Sequence, residues 1–183
     1  MKQPNIILVG YMGCGKSTLG KQIANRLKID FLDSDAYIES VLGITINEIF
    51  NCYGEQHFRN LERTFLNNLP QDRSYVLSCG GGMPCFKDNM NYLRSQGTVF
   101  YLKRSPKELL LRLEKGRAKR PLISKLEPKK LLEFIEESLK EREFFYNQAD
   151  FVLSRSEQNV AAIIEKSKLD KTSENFSRSS SKY

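Results

Sequence analysis

Nine residues near the start of the chain, Gly10-Tyr11-Met12-Gly13-Cys14-Gly15-Lys16-Ser17-Thr18, constrain the fold more than any other stretch. They fit the pattern G-x-x-x-x-G-K-[ST] and follow the apolar run Ile6-Ile7-Leu8-Val9, the strand-to-helix setting in which that pattern binds phosphate. Glycines at 10, 13 and 15 let the backbone curl until several N–H groups converge on one centre, and a helix starting near Lys16 adds its positive end. Such a nest suits a polyphosphate. Lys16 is placed to reach the β- and γ-phosphates, and the Ser17 hydroxyl to ligate Mg²⁺, a hard cation that prefers oxygen. The plain alternative, a glycine-rich turn between strand and helix, is outweighed by the full pattern in its context.

Behind this loop, Leu19, Ile23, Ala24 and Leu27 recur at helical spacing, and Ile29–Leu32, Tyr75–Ser78, Thr98–Leu102 and Phe151–Leu153 read as short strands. Helices are expected between them. One runs through Ile38, Val41 and Leu42 to Gly43; the next opens on the capping box Thr45-Ile46-Asn47-Glu48 and is interrupted near Tyr53 and Gly54. A short helix surrounds Leu93, another starts at Ser105-Pro106-Lys107-Glu108, a long one opens at Pro128, and Ser154–Glu157 is expected to cap the last. Alternating strands and helices argue for parallel strands joined by right-handed crossovers, hence a three-layer α/β/α fold. The 183 residues are expected to form one domain over 1–167, with a basic, poorly anchored lid at about 114–127 and a disordered Ser-rich tail over 168–183.

A formal charge of +7 suits either anionic small ligands or nucleic acid. Much of that charge falls in the lid and tail, and no aromatic-basic interleaving marks an RNA reader, so a nucleic-acid-binding ATPase module is the weaker of the two classes. No nucleic-acid partner is expected. The N-terminal apolar run is broken by Gly10 and Lys16, too short for a signal peptide or membrane span, which points to a cytoplasmic protein with no membrane partner. Cys14, Cys52, Cys79 and Cys85 lack C-x-x-C spacing and His57 is the only histidine, so reduced thiols are expected rather than a zinc site. The guanine-reading Asn-Lys-x-Asp and the Asp-x-x-Gly switch of a GTPase are missing at the strand ends.

Other residues narrow the chemistry. Asp33-Ser34-Asp35 stands where a second strand would deliver it to the ligand-binding edge of the sheet: Asp33 as support for Mg²⁺ and Asp35 facing an acceptor hydroxyl, or both merely as helix-capping acids. Arg142 has no acid three or four residues away and lies on a largely apolar face, as an arginine aimed at an anion would. Arg59 has Glu62 three residues on, either a surface pair or a clamp on its rotamer. Two arginines with the N–H groups of Gly80, Gly81 and Gly82 would hold a carboxylate bidentately, although the glycines read equally as a plain turn.

Taken together, the phosphate loop, Phe31-Leu32-Asp33-Ser34-Asp35, Gly54-Glu55-x-x-Phe58-Arg59-x-x-Glu62, Gly80-Gly81-Gly82, Arg120-Pro121-Leu122-Ile123 and Glu141-Arg142-x-x-x-Tyr146 resemble the shikimate kinase family over about residues 5 to 166. The resemblance implies a nucleoside-monophosphate-kinase-like fold with a five-stranded parallel sheet of order 2-3-1-4-5, and transfer of the ATP γ-phosphoryl group to the 3-hydroxyl of shikimate. It also implies roles: Gly13, Cys14, Gly15, Lys16, Ser17 and Thr18 for the nucleotide phosphates, and Ser17 for Mg²⁺. Asp35, Arg59, Gly81 and Arg142 fall on shikimate positions, Glu62 on the acid that steadies Arg59, Arg120 on a lid arginine closing over ATP, and Gln158 near the adenine. A monomer is expected. The chain departs from the family pattern in a lid without an extended insertion and in Cys79, where a Ser or Thr usually precedes the glycines. The rival enzymes are other small P-loop kinases, for gluconate or a nucleoside monophosphate.

Overall fold

The computed structural model describes residues 3–115 and 127–168. Five strands, β1 (Ile6–Val9), β2 (Asp30–Asp33), β3 (Tyr75–Ser78), β4 (Thr98–Leu102) and β5 (Phe151–Leu153), form one sheet in the order β2-β3-β1-β4-β5. Every pairing is parallel. The central position of β1 explains its composition: Ile6, Ile7, Leu8 and Val9 are fully buried, as a strand covered on both faces requires. At the edges, Asp30 and Val152 are exposed.

The helices are α1 (Lys16–Leu27), α2 (Ser34–Leu42), α3 (Ile46–Asn67), α4 (Asn89–Gln96), α5 (Pro106–Glu114), α6 (Pro128–Tyr146) and α7 (160–168). Capping boxes open α3 at Thr45 and α5 at Ser105, and Gly43 closes α2 in the left-handed region, its N–H donating to Glu39 O. Gly54, at φ 79° and ψ 171°, breaks α3 into two segments where the sequence shows the interruption. Ile38, Ile49 and Phe58 form a small core beneath α2 and α3, separate from the main core around the sheet.

α2 packs on α3 through Ile38, with Val41 and Leu42 exposed. One local expectation changes. Ser154 and Glu157 do form a capping box, but on a 3-10 turn, Arg155–Glu157. The backbone turns away at Gln158, and α7 is capped instead by Asn159, whose Oδ1 accepts from Ala162 N. Lys168 belongs to the end of α7, while the rest of the expected tail, most of the expected lid and Arg120 lie outside the described residues.

Strand order and register bring three polar turns to one edge. Leu8 is level with Ser78 on one side and with Phe100 on the other, and Asp33 is level with Ser78, so β2, β3 and β1 end side by side. The chain leaves them into Ser34-Asp35, Cys79–Gly82 and Gly10–Lys16 respectively. A crevice outside the carboxyl ends of parallel strands is where this architecture binds ligands.

The opposite edge has a tight constraint of its own. A Cβ on Gly97 would fall 2.5 Å from the Asn5 carbonyl oxygen, a backbone atom that cannot step aside. Gly97→Ala is expected to lower the unfolding free energy by about 1–3 kcal/mol in urea denaturation, as overpacking does, while leaving ligand affinity unchanged. Wild-type stability in that variant would contradict the packing described.

Candidate active site

The loop after β1 has the backbone its glycines permit: φ is 137° at Gly10, 79° at Gly13 and 109° at Gly15, which is the N-cap of α1. Lys16 is buried and folds back over the loop, its Nζ donating to Gly10 O at 2.8 Å and Tyr11 O at 3.1 Å. An ammonium has three N–H donors, and the third points at Cys14 Sγ at 3.8 Å, a long, weak contact that a ligand oxygen can replace. Gly13, Gly15, Lys16, Ser17 and Thr18 line a cleft of ≈ 390 Å³ together with Arg112 and Lys115 of the α5 end. Cys14 is buried beneath the loop. Arg112 donates to Gly13 O at 3.3 Å and Cys14 O at 3.2 Å, tying α5 to the loop.

Beside the cleft, Ser17 Oγ donates to Asp33 Oδ2 at 2.7 Å and lies 3.3 Å from Ser78 Oγ. The capping role considered for Asp33 is present as well: its Oδ1 accepts from Ala36 N at the start of α2. One carboxylate and two hydroxyls are oxygen donors that fit a hard dication such as Mg²⁺. Among the described residues no three His, Cys, Asp or Glu side chains converge, so such an ion would complete its shell from phosphate oxygens and water.

On the other side, a second set of groups closes around the glycine triplet. Arg59 is nearly buried, with NH1 donating to Glu62 Oε2 at 2.7 Å and NH2 to Glu55 Oε1 at 2.8 Å. Burial opposes its charge, but Glu62 and Glu55 more than offset that, and the guanidinium is held above its ordinary value. Glu62 is completely buried, and burial pushes its carboxyl up to about 7 in spite of Arg59. The pair is therefore a clamp on the rotamer, not a surface contact.

Gly80 and Gly82 are needed for close approach. A Cβ at position 80 would meet Asp35 Oδ1 at 2.5 Å and Glu62 Oε1 at 3.0 Å, and one at position 82 would overlap the Arg59 guanidinium. Asp35 is thus brought against the triplet, and Ser34 fixes it there: Ser34 Oγ accepts from Gly80 N at 2.8 Å and donates to Asp35 Oδ1 at 3.3 Å. Burial, then the neighbouring Asp33 charge, raise the Asp35 carboxyl above the usual range, with Lys16 pulling the other way. Arg142 approaches from α6, its guanidinium carbon 5.6 Å from the centre of the Tyr11 ring and its NH1 on the Gly81 side. One turn further along α6, the Tyr146 hydroxyl donates to Gly81 O at 2.6 Å.

The residues singled out from sequence therefore gather in one crevice, with two exceptions. Arg120 is outside the described residues. Gln158 does not line the cleft; its Nε2 donates to Lys103 O and Leu153 O, lacing together the ends of β4 and β5. Cys79, which stands where a Ser or Thr usually precedes the glycines, is buried in the main core, and burial pushes its thiol far up. Glu55, Ser78 and Arg112 were not assigned from sequence. Only Glu55 carries a local signal, four residues before Arg59.

A phosphate loop beside a cationic pocket at the carboxyl edge of a parallel sheet of this order is the arrangement of a P-loop kinase. Residues 12–170 match the family model for shikimate kinase. The shikimate kinase of Bacteroides fragilis is 43% identical over 147 residues, 80% of this chain and 82% of that one. The crystal structure of shikimate kinase from Bacteroides thetaiotaomicron superimposes with a TM-score of 0.81 at 36% identity, covering 93% of this chain and 98% of that one. Shikimate kinase from Acinetobacter baumannii, solved in complex with shikimate, gives a TM-score of 0.77 at 35% identity over 94% of each chain. The chain belongs to the shikimate kinase family and is an ATP-dependent kinase. A gluconokinase from Sinorhizobium meliloti, at 20% identity and a TM-score of 0.56, shares the fold alone.

Glu62 gives the site a pH signature. Its carboxyl titrates near 4.5 in the unfolded chain and near 7 in the folded one, so the folded protein holds a proton that the unfolded chain has released between those values. The stability tied to that proton is complete below the lower value and is lost as the pH rises through the higher one. Melting temperatures measured from about pH 5 to about pH 8 should fall for the wild type relative to Glu62→Gln, which cannot ionise. A constant difference between the two proteins over that range would contradict the buried titration.

Proposed function

We propose that this protein transfers the γ-phosphoryl group of ATP to the 3-hydroxyl of shikimate, giving shikimate 3-phosphate and ADP on the route to chorismate and the aromatic amino acids. The observation that carries the reading is the convergence of Arg59, Arg142, the glycine triplet and Asp35 on one wall of the crevice, opposite Lys16 and the phosphate loop. Paired guanidinium groups fit a carboxylate, and a relative at 35% identity was solved with shikimate bound.

Phosphoryl transfer has a loose transition state with charge spread over the moving oxygens, so positioning and cationic stabilisation dominate over strong base chemistry. The loop from Gly13 to Thr18 holds the phosphates through N–H groups and the α1 end, and Lys16 exchanges its weak Cys14 contact for the transferring group. Ser17 and Asp33 are the proposed Mg²⁺ ligands, an ion that when bound neutralises phosphate charge. Arg59 and Arg142, with Gly81 and Gly82 N–H, hold the shikimate carboxylate, and Asp35 orients the attacking hydroxyl and accepts its proton. The raised Asp35 carboxyl suits a proton acceptor better than an ordinary surface acid would.

The same reading assigns one domain over 1–167, with the helical region at about 34–62 binding shikimate and the lid at about 114–127 bringing Arg120 over ATP and excluding water. Gln158 shapes the adenine end of the cleft by holding β4 and β5 together. A cytoplasmic monomer acting without nucleic-acid or membrane partners completes the proposal.

A coupled ADP-release assay with shikimate, gluconate, AMP and no acceptor tests the function. Shikimate alone should support turnover; preferred use of gluconate would overturn the reading. Asp35→Asn, close in size, should reduce kcat by about 10²–10⁴-fold with a smaller change in shikimate KM. Near-wild-type kcat would remove Asp35 from the acceptor step.

A further inference from the structure

The glycine triplet has a complete set of backbone partners on one side and almost none on the other. Gly80 O accepts from Met83 N at 3.1 Å, Gly82 O from Cys85 N at 3.0 Å, and Gly81 O from the Tyr146 hydroxyl at 2.6 Å. Gly80 N donates to Ser34 Oγ. Among the described residues no acceptor takes the Gly81 or Gly82 N–H. All three carbonyls are therefore turned away into the protein, and two N–H groups are left beside the Arg142 and Arg59 guanidinium groups that contact this loop.

The peptide between Gly81 and Gly82 is the vulnerable one. A peptide unit flanked by two glycines meets the least steric resistance to rotation, since neither neighbour has a Cβ to restrict the adjoining torsions. If it turned over, the Gly82 N–H would leave the crevice and a carbonyl oxygen would take its place, repelling any carboxylate there. Its neighbours are held by bonds made within the turn or from the adjoining β2 turn. The Gly81 carbonyl is held by a side chain 65 residues away.

That side chain is well fixed. Tyr146 is fully buried, its ring lies 5.0 Å from that of Tyr101, and burial drives its hydroxyl well above the ordinary range, so it remains a neutral donor. It also follows Arg142 by four residues on α6 and its hydroxyl oxygen accepts from that guanidinium, so one hydroxyl ties the cation of the crevice to the Gly81 carbonyl behind it.

We propose that Tyr146 is a positioning residue for the acid substrate: its hydroxyl locks the Gly81–Gly82 peptide with the Gly82 N–H facing the substrate carboxylate. The inference rests on the reading of this wall as the carboxylate site, and it assigns to Tyr146 no contact with shikimate. Its effect is confined to an anionic acceptor, because ATP is held by a different loop.

Tyr146→Phe removes the hydroxyl and keeps the ring. In the full-length enzyme, shikimate KM is expected to rise about tenfold, the effect of losing one charge-assisted hydrogen bond, with ATP KM within about twofold of the wild type. The penalty should shrink towards unity with the carboxamide of shikimate, whose neutral head group accepts weaker bonds from the amides. In ¹⁵N-glycine-labelled protein, shikimate should shift the Gly81 and Gly82 amide resonances in the wild type and shift them much less in the variant. An unchanged shikimate KM, an equal rise in both KM values, or the same penalty for acid and carboxamide would overturn the proposal. Should the variant fold poorly, the wild-type spectra decide: amides that do not respond to shikimate contradict it. A wild-type enzyme that turns over gluconate but not shikimate removes the shikimate reading on which the inference rests, and this inference with it.

Discussion

Because β3 lies between β2 and β1 in a parallel sheet, three turns that are far apart in sequence stand side by side at one edge. Each brings one requirement of the chemistry. The turn after β1 is a ring of N–H groups for phosphate, the turn after β2 carries two carboxylates, and the turn after β3 is a run of glycines that lets charged side chains approach the backbone. No turn suffices alone. Hydrogen bonds between turns make them one structure: Ser17 to Asp33 joins the first to the second, and Gly80 N to Ser34 joins the third to the second.

The cationic wall opposite the phosphate loop depends on a buried ion pair that is costly in isolation. Removing a guanidinium and a carboxylate from water is repaid only when both are well bonded. Arg59 has acids on both sides, and Glu62, wholly buried with Oε1 unbonded to protein, is the member left under strain from its burial. On the proposed carboxylate reading, an Arg59 already fixed in one rotamer reduces the ordering that binding must impose, the general advantage of a preorganised site. Asp35 stands under the same influence, since its carboxylate and Glu62 Oε1 both approach Gly80.

Local features of the site were legible in the sequence because their causes are local. Gly15-Lys16 as the start of α1, the capping boxes at Thr45 and Ser105, the break at Gly54 and the Arg59–Glu62 pair all depend on residues a few positions apart. Strand order was not legible from periodicity, since apolar runs show that strands exist but not which lie together; it came from family resemblance. Long-range contacts were equally hidden. Ser78 beside Ser17, Arg112 on the Gly13 and Cys14 carbonyls, and Tyr146 on Gly81 join residues 61 to 99 positions apart. The capping pattern at Ser154–Glu157 shows the converse limit, because the same side-chain exchange serves a 3-10 turn as readily as an α-helix.

The central claim is geometric and is tested most directly by a crystal structure of the protein with ADP, Mg²⁺ and shikimate. The account predicts the shikimate carboxylate between Arg59 and Arg142, within about 3 Å of guanidinium and glycine N–H donors, and the 3-hydroxyl at Asp35 on the side facing the phosphate loop. Shikimate bound with its carboxylate towards the phosphate loop, or seated away from these two arginines, would contradict it.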